Sequence, residues 1–115
     1  EKQDSRFISS CRSLSAERKE GVIVAGDSVE ILGKNIKVVG SHPSVGIELI
    51  HENGNNIRIA EGKIVVNRPS KLIFLLPDNL EEDTYTLMIT TQYSRGSALL
   101  KNPRIIKKVI DVITE

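Results

Sequence analysis

The sequence predicts an all-β fold in which two sheets pack face to face. Residues 84–93 alternate, with Tyr85, Leu87 and Ile89 on one side and a wetter face on the other, which is the period of a half-buried strand. About eight short apolar runs separated by turn residues are typical of a sandwich or barrel. The acidic turn 79–83 leads into Tyr85 where such sandwiches place a tyrosine corner. We therefore assign 84–93 as the central, F-type strand of an immunoglobulin-like β-sandwich.

Composition sets the limits of this fold. The 115 residues fit one domain that can hold a core without metal or disulfide staples. We expect residues 1–20 to supply an edge strand and a connection, and residues 21–115 the remainder of the sandwich. With no Trp, two Phe and two Tyr, the core must be mostly aliphatic. Cys11 is the only cysteine, so no intrachain disulfide can form.

Charge and hydropathy exclude some classes of function. Sixteen basic residues against 15 acidic ones give a net charge of +1, which supplies no global field toward nucleic acid or an anionic membrane. No apolar run approaches the ~20 residues that span a bilayer. Because the chain starts at Glu1 without Met, we expect a trimmed or processed N terminus from which a targeting sequence could have been lost.

The first third of the chain predicts two strands. We expect residues 1–5 to fray, residues 6–14 to form an irregular edge strand, and residues 15–21 to connect it, with room for one helical turn. Val29 and Ile31 then point into the core. A Gly-Lys-Asn kink at 33–35 is expected to bend this strand around a sandwich corner, because Gly and Asn tolerate positive φ. The segment after the kink is expected to return to the core through Ile36, Val38 and Val39.

The rest of the chain predicts further strands. Residues 45–51 alternate through Ile47 and Leu49, and the Asn-Gly pair at 53–54 signals a hairpin to 56–60. Short strands follow at 63–66 and at 71–76, the latter with Leu72 and Phe74 in the core. Residues 98–114 are ambiguous, since the apolar residues of 105–113 also fit a helical face. Their β-branched content favours a last strand.

No catalytic, cofactor-binding or metal residue is predicted. His42, His51 and Cys11 are too few and too scattered for a zinc site, and the two histidines are interpreted as solvated turn residues. No nucleophile elbow supports a Ser-His-Asp triad. The acidic loop 78–83 could hold Ca²⁺ through oxygen ligands, but a solvated turn that caps the tyrosine corner explains it better. The kink at 33–35 lacks the glycines and the helix of a phosphate loop.

Basic residues concentrate toward the C-terminal region. If the last segment is a strand, Arg104 and Lys108 share one face and Lys107 lies on the other, so the charge is divided and not focused. Lysines of this kind commonly protect an edge strand from aggregation, and we favour that explanation over phosphate contact. The whole set consists of Arg95, Lys101, Arg104, Lys107 and Lys108.

Several stretches carry a resemblance to a known family. They are GDSVEILGKNIKVVG, HPSVGIELI, IVVNRPSKLIFLLP and TYTLMITTQYS followed by ALLKNPR, which together span residues 26–104. In this order and spacing the sequence resembles the uncharacterised immunoglobulin-like domain at the C terminus of bacterial histone-like (HU-like) DNA-binding proteins. The kink at 33–35 is more loosely similar to immunoglobulin-like, plexin, transcription-factor domains. The first resemblance implies a sandwich that serves as a non-enzymatic accessory module in the cytoplasm, at the nucleoid, and it supplies no functional residues.

Two functions are compatible with these observations. The first is an interaction module that positions or oligomerises a neighbouring DNA-binding domain, acting through an exposed strand edge or a sheet face. Its expected partners are protein, either a second copy or the neighbouring domain, and DNA bound through an HU-like domain outside this chain, with no membrane, cofactor or metal. The alternative is an extracellular or periplasmic ligand-binding module, for example for glycans. Direct contact of this domain with DNA is a lesser possibility, and an enzyme is the least supported class.

Overall fold

The computed structural model describes residues 6–14, 21–51, 54, 56–94 and 98–114. The expectations for residues 1–5, for the connection 15–20, for Asn53 and for Arg95 lie outside these ranges. The described strands, in chain order, are β1 (Phe7–Ser13), β2 (Val22–Val24), β3 (Ser28–Lys34), β4 (Gly46–His51), β5 (Asn56–Ile59), β6 (Ile64–Arg68), β7 (Lys71–Leu75), β8 (Asp83–Thr91) and β9 (Arg104–Ile113). A single 3₁₀ turn at Glu61–Lys63 precedes β6.

Two sheets form the molecule, as the alternation in the sequence predicts. One sheet has the strand order β1-β3-β7-β6 and the other β2-β9-β8-β4-β5. All pairings are antiparallel except that of β2 with β9. The assignment of β8 as a central strand is confirmed, since it lies between β9 and β4. It ends at Thr91 and not at Tyr93, because its pairing with β4 stops at Thr90 and its pairing with β9 at Thr91.

The core lies between the inner faces of the sheets and consists mainly of aliphatic side chains. Nine of the residues predicted to be buried are at most 3% exposed: Val29, Ile31, Ile47, Leu49, Leu72, Phe74, Tyr85, Leu87 and Ile89. Cys11 and Ile36 join them at 0% exposure. Ile8 packs against this cluster, while Phe7 and Leu14 remain about half exposed.

The ambiguous C-terminal segment is a strand, as its β-branched content predicts. Along β9, Ile110 and Val112 are buried while Val109 is 65% exposed, so burial follows a period of two. Lys107 shares the outer face with Val109, whereas Arg104 and Lys108 have the parity of the core face, as predicted. β9 is not a terminal strand of its sheet, but β2 pairs only with its last three residues, after the lysines.

The kink at 33–35 differs from expectation in two ways. Asn35 alone has the positive φ, +57°, and no strand follows it in residues 36–40. Ile36 and Val38 do pack in the core, but Val39 does not belong to it. Side chains replace sheet pairing in this segment, because Asn67 bonds both the N–H and the carbonyl of Val38. From the facing sheet, the Thr91 hydroxyl donates to the carbonyls of Lys37 and Val39.

Candidate interaction surfaces

The groups considered for metal binding and catalysis lie apart. Across the ranges that the structure describes, no group of three or more His, Cys, Asp or Glu side chains could hold a metal ion. Cys11 is fully buried in the core. His42 lies in a turn, where its Nδ1 is 2.7 Å from the hydroxyl of Ser44 and accepts the N–H of that residue at 3.1 Å.

The interpretation of His51 as a solvated turn residue is wrong. It is the last residue of β4, opposite Tyr85 in the register, and its side chain is only 12% exposed. Its ring meets the Tyr85 ring edge-on at 5.0 Å, and its Nε2 lies 2.6 Å from Asp83 Oδ2. The following turn in the sequence suggested a loop, but strand register places the ring over an aromatic neighbour.

The acidic loop caps the tyrosine corner, as predicted. The Tyr85 hydroxyl donates to the Glu81 carbonyl at 3.0 Å. Glu82 accepts the backbone N–H of Thr114 at 2.7 Å, which lowers the pKa of that carboxyl and ties the loop to the end of β9. The pKa of Asp83 is also lowered, first by the N–H of Thr84 and then by the bond to His51. These carboxylates are therefore engaged in protein contacts.

A cavity of about 690 Å³ opens between the sheets at one side of the sandwich. Lys37, Arg58, Glu61 and Asn67 are among its lining residues. The Arg58 guanidinium donates to the carbonyls of Pro43 and Val45. None of the described residues that line it is aromatic, so the cavity does not present the ring surface on which sugars usually stack.

The outer face of the five-stranded sheet carries exposed apolar side chains in an ordered pattern. Ile105 and Val109 on β9 are 57% and 65% exposed, and Lys107 lies between them. The register aligns these residues in rows with the neighbouring strands, so that Lys107, Met88 and Glu48 form one row. The next row consists of Val109, Thr86 and Ile50. A third row pairs Ile105 with Thr90 and with Gly46, which has no side chain.

Some side chains on this face are less exposed to solvent than predicted. Thr90 and Gln92, expected on the wetter side of β8, are 3% and 7% exposed. Gln92 is buried because its side chain joins two loops. Its Oε1 accepts the N–H of His42 at 3.0 Å, and its Nε2 donates to the Leu100 carbonyl at 2.9 Å. The open part of the outer face therefore lies around Met88 and Thr86.

One end of the sandwich collects cations from distant parts of the sequence. Arg6 marks this end, because its guanidinium donates to the carbonyls of Asn35 and Tyr93 at 2.6 and 3.0 Å and so joins the two sheets. The turn between β6 and β7 reaches the same place, as Ile36 N–H donates to the Pro69 carbonyl. We call this surface the basic end; besides Arg6 and Lys71 it comprises Lys34, Lys37, Arg68, Lys101 and Arg104.

The opposite end of the sandwich is acidic. Hydrogen bonds from Gly26 N–H to Pro77 O and from Ala25 N–H to Ile113 O bring the turns and the C-terminal strand together there. The carboxylates at this end are Asp27, Asp78, Glu81, Glu82, Asp83 and Asp111. The net charge of +1 therefore conceals a strong separation of charge along the strands.

Comparisons with known proteins agree with this architecture. A family model described as a domain of unknown function (DUF4469) with IG-like fold matches residues 7–106. The chain is similar to a crystal structure of a "Putative bacterial DNA binding protein" from Bacteroides vulgatus ATCC 8482, with a TM-score of 0.92 and 38% identity. The match covers 99% of this chain and 50% of that one, so the chain spans half of that protein's length. The search of curated proteins returned no match.

None of the helices within the described ranges has the length and hydropathy that a bilayer crossing requires.

Proposed function

Because the chain belongs to the family of domains of unknown function with an IG-like fold, we propose that it is a non-catalytic interaction module that pairs with a second copy of itself. It thereby oligomerises a DNA-binding segment outside this chain. The Bacteroides protein to which it is similar is described as DNA binding and is twice as long as the matched region, which supports that setting. The resemblance to HU-like proteins adds the expectation of a cytoplasmic, nucleoid-associated protein.

The observation that carries the proposal is the self-complementary outer face of the five-stranded sheet. β9 and β4 lie on either side of β8. A twofold axis running along β8 places β9 of one copy over β4 of the other. Each Lys107 then faces a Glu48, and each Val109 faces an Ile50. Ile105 projects toward Gly46, over which the Arg58 guanidinium lies. Apolar residues and opposite charges are thus matched in the same operation, and Lys107 joins a Glu48 carboxylate that lies 4.0 Å from Arg58 of its own copy.

The size of this face fits a reversible dimer. Five strands at ~4.8 Å spacing and about 23 Å of strand length give roughly 550 Å² per copy. Two copies would bury about 1,100 Å², close to the lower limit for a specific interface. We therefore expect a dimer that forms in the micromolar range and not an obligate assembly.

Sedimentation velocity across a concentration series tests the proposal. Wild type should shift from monomer to dimer, and Val109→Glu should remain a monomer because two carboxylates would be buried among apolar side chains. Val65→Glu is the matched control, since Val65 is 64% exposed on β6 of the other sheet. It should dimerise like wild type.

A charge exchange tests the geometry. Lys107→Glu alone should weaken the dimer, and Lys107→Glu combined with Glu48→Lys should restore it, because the pair is reformed with its signs reversed. A wild type that stays monomeric at millimolar concentration, or Val65→Glu being as disruptive as Val109→Glu, would exclude this face as the contact.

A further inference from the structure

We propose that the basic end is a second binding surface, which contacts the sugar-phosphate backbone of duplex DNA directly. This function is distinct from dimerisation, because it uses the loops and strand ends at one tip of the sandwich and not the sheet face. Five of its cations have no carboxylate partner among the described residues: Lys34, Lys37, Arg68, Lys101 and Arg104. Lys71 is excluded from that set because its Nζ lies 3.9 Å from Glu30 Oε2.

The near-neutral net charge does not oppose this inference. Arg104 and Asp111 lie on the same strand β9, seven residues apart, which corresponds to about 23 Å. That distance is nearly three times the ~8 Å Debye length at physiological ionic strength. A phosphate at the basic end is therefore screened from the carboxylates at the other end and interacts mainly with the nearby cations.

The arrangement of the cations suits a double strand. Lys34 and Arg68 end strands of the four-stranded sheet, whereas Arg104 begins β9 of the five-stranded sheet. Sheets pack about 10 Å apart, so the cations lie along two lines separated by about that distance. The major groove of B-DNA is ~12 Å wide, which allows the two lines to follow the two phosphate strands at its borders.

The surface has few features that would read a sequence. Contacts of Lys and Arg with phosphates fix position without reading bases. We therefore expect binding that is independent of sequence and strongly dependent on salt. Five phosphate contacts predict a slope of about −4 to −5 in a plot of log K against log salt concentration.

Fluorescence anisotropy with a labelled duplex of arbitrary sequence at several salt concentrations tests this inference. Lys34→Gln combined with Arg104→Gln should make the slope shallower by about 2, and binding at 50 mM salt should weaken by roughly tenfold for each cation that is neutralised. The matched control is Arg12→Gln combined with Lys63→Gln, which changes the net charge equally away from the basic end. It should leave the slope unchanged.

Three results would overturn the inference. The first is no binding at 25 mM salt, and the second is an equal loss of binding in the control variant. The third is a salt-sensitive self-association without DNA binding, which would mean that the basic end meets the acidic end of another copy. DNA binding is measured for wild type and for Val109→Glu, which is expected to stay monomeric. Binding by this monomeric variant does not depend on the dimer, so failure of dimerisation and failure of DNA binding are distinguished.

Discussion

At the scale of single residues, the Tyr85 hydroxyl joins the acidic loop to β8. It is almost fully buried and donates to the Glu81 carbonyl at 3.0 Å. Burial raises the pKa of Tyr85, and the charges of Glu81 and Asp83 raise it further. The phenol therefore stays protonated and keeps donating through the neutral and mildly alkaline range.

Tyr85→Phe should lower the free energy of unfolding by about 1–2 kcal/mol, because the substitution keeps the ring but leaves the Glu81 carbonyl without its donor. Urea denaturation measures this decrease. Tyr93→Phe serves as the control, since the described contacts of Tyr93 involve its backbone and not its hydroxyl. Equal stability of Tyr85→Phe and wild type would show that the hydroxyl does not stabilise the corner.

The ionised Asp83 carboxylate is expected to make the stability of the fold decrease at acid pH. Its pKa is lowered in the folded state by the N–H of Thr84 and the bond to His51. The ionised group therefore stabilises the fold above its unfolded pKa of about 3.9, and this contribution is lost as the pH falls through the folded value. The melting-temperature gap between wild type and Asp83→Asn should persist from pH 7 to 5 and shrink below about pH 4.

Glu61→Gln controls for the general effect of removing a carboxylate, because Glu61 makes no side-chain hydrogen bond among the described contacts. A gap for Asp83→Asn that stays undiminished down to pH 3 would contradict the assignment of Asp83 as a stabilising charge.

At the scale of elements, the joint between β1 and β3 depends on Gly33. A Cβ at this position would collide with the carbonyl oxygen of Phe7 and approach Ile8 Cα to 3.1 Å. Gly33 pairs with Ile8 immediately before the bulge in β1. The glycine is thus required for the close approach of two backbones and not for a positive φ.

Gly33→Ala should destabilise the protein by about 1–3 kcal/mol, because the edge strand must move to relieve the overlap. Chemical denaturation gives the magnitude, and hydrogen exchange should show that protection decreases mainly in β1. Gly62→Ala is the control, since a Cβ there meets nothing within 4 Å. A decrease of protection spread evenly over both sheets would contradict a local role.

The elements were predictable where burial alone decides them. Alternation identified Ile31, Leu49 and Leu87 as core residues because a period of two needs only one strand to be recognised. It failed for Gln92, whose burial depends on a loop 50 positions away in the sequence. His51 has the same parity as Ile47 and Leu49, so its misassignment came from the turn signal that follows it and not from the alternation. Its contact with Asp83 joins residues 32 positions apart. These contacts arise from the pairing of strands and from the packing of loops that are distant in the sequence. The pattern within a single strand does not predict them.

At the scale of the whole molecule, the basic end shows why the candidate surface escaped sequence reasoning. The sequence directed attention to a cluster near the C terminus, which strand alternation divides between two faces. The topology instead brings together Lys34, Arg68 and Arg104, which come from three separate strands. No local pattern marks this grouping, because only the antiparallel order of the strands places their ends on the same side.

The two proposed surfaces make a joint prediction. A twofold axis along the strands preserves strand direction, so the basic ends of both copies point the same way and lie side by side. The dimer therefore offers about twice as many phosphate contacts as the monomer on a duplex long enough to cover both ends, and the second contact gains effective concentration from the first.

We expect a 24-bp duplex to bind the dimer with a salt slope about twice that of Val109→Glu, whereas an 8-bp duplex, about 27 Å long, should give both proteins the same slope. Anisotropy titrations above the dimerisation constant measure the four slopes, with Val65→Glu as the control that follows wild type. Equal slopes for both proteins on the longer duplex would place the two basic ends on opposite sides of the dimer. The twofold axis would then run across the strands, and Lys107 could no longer face Glu48.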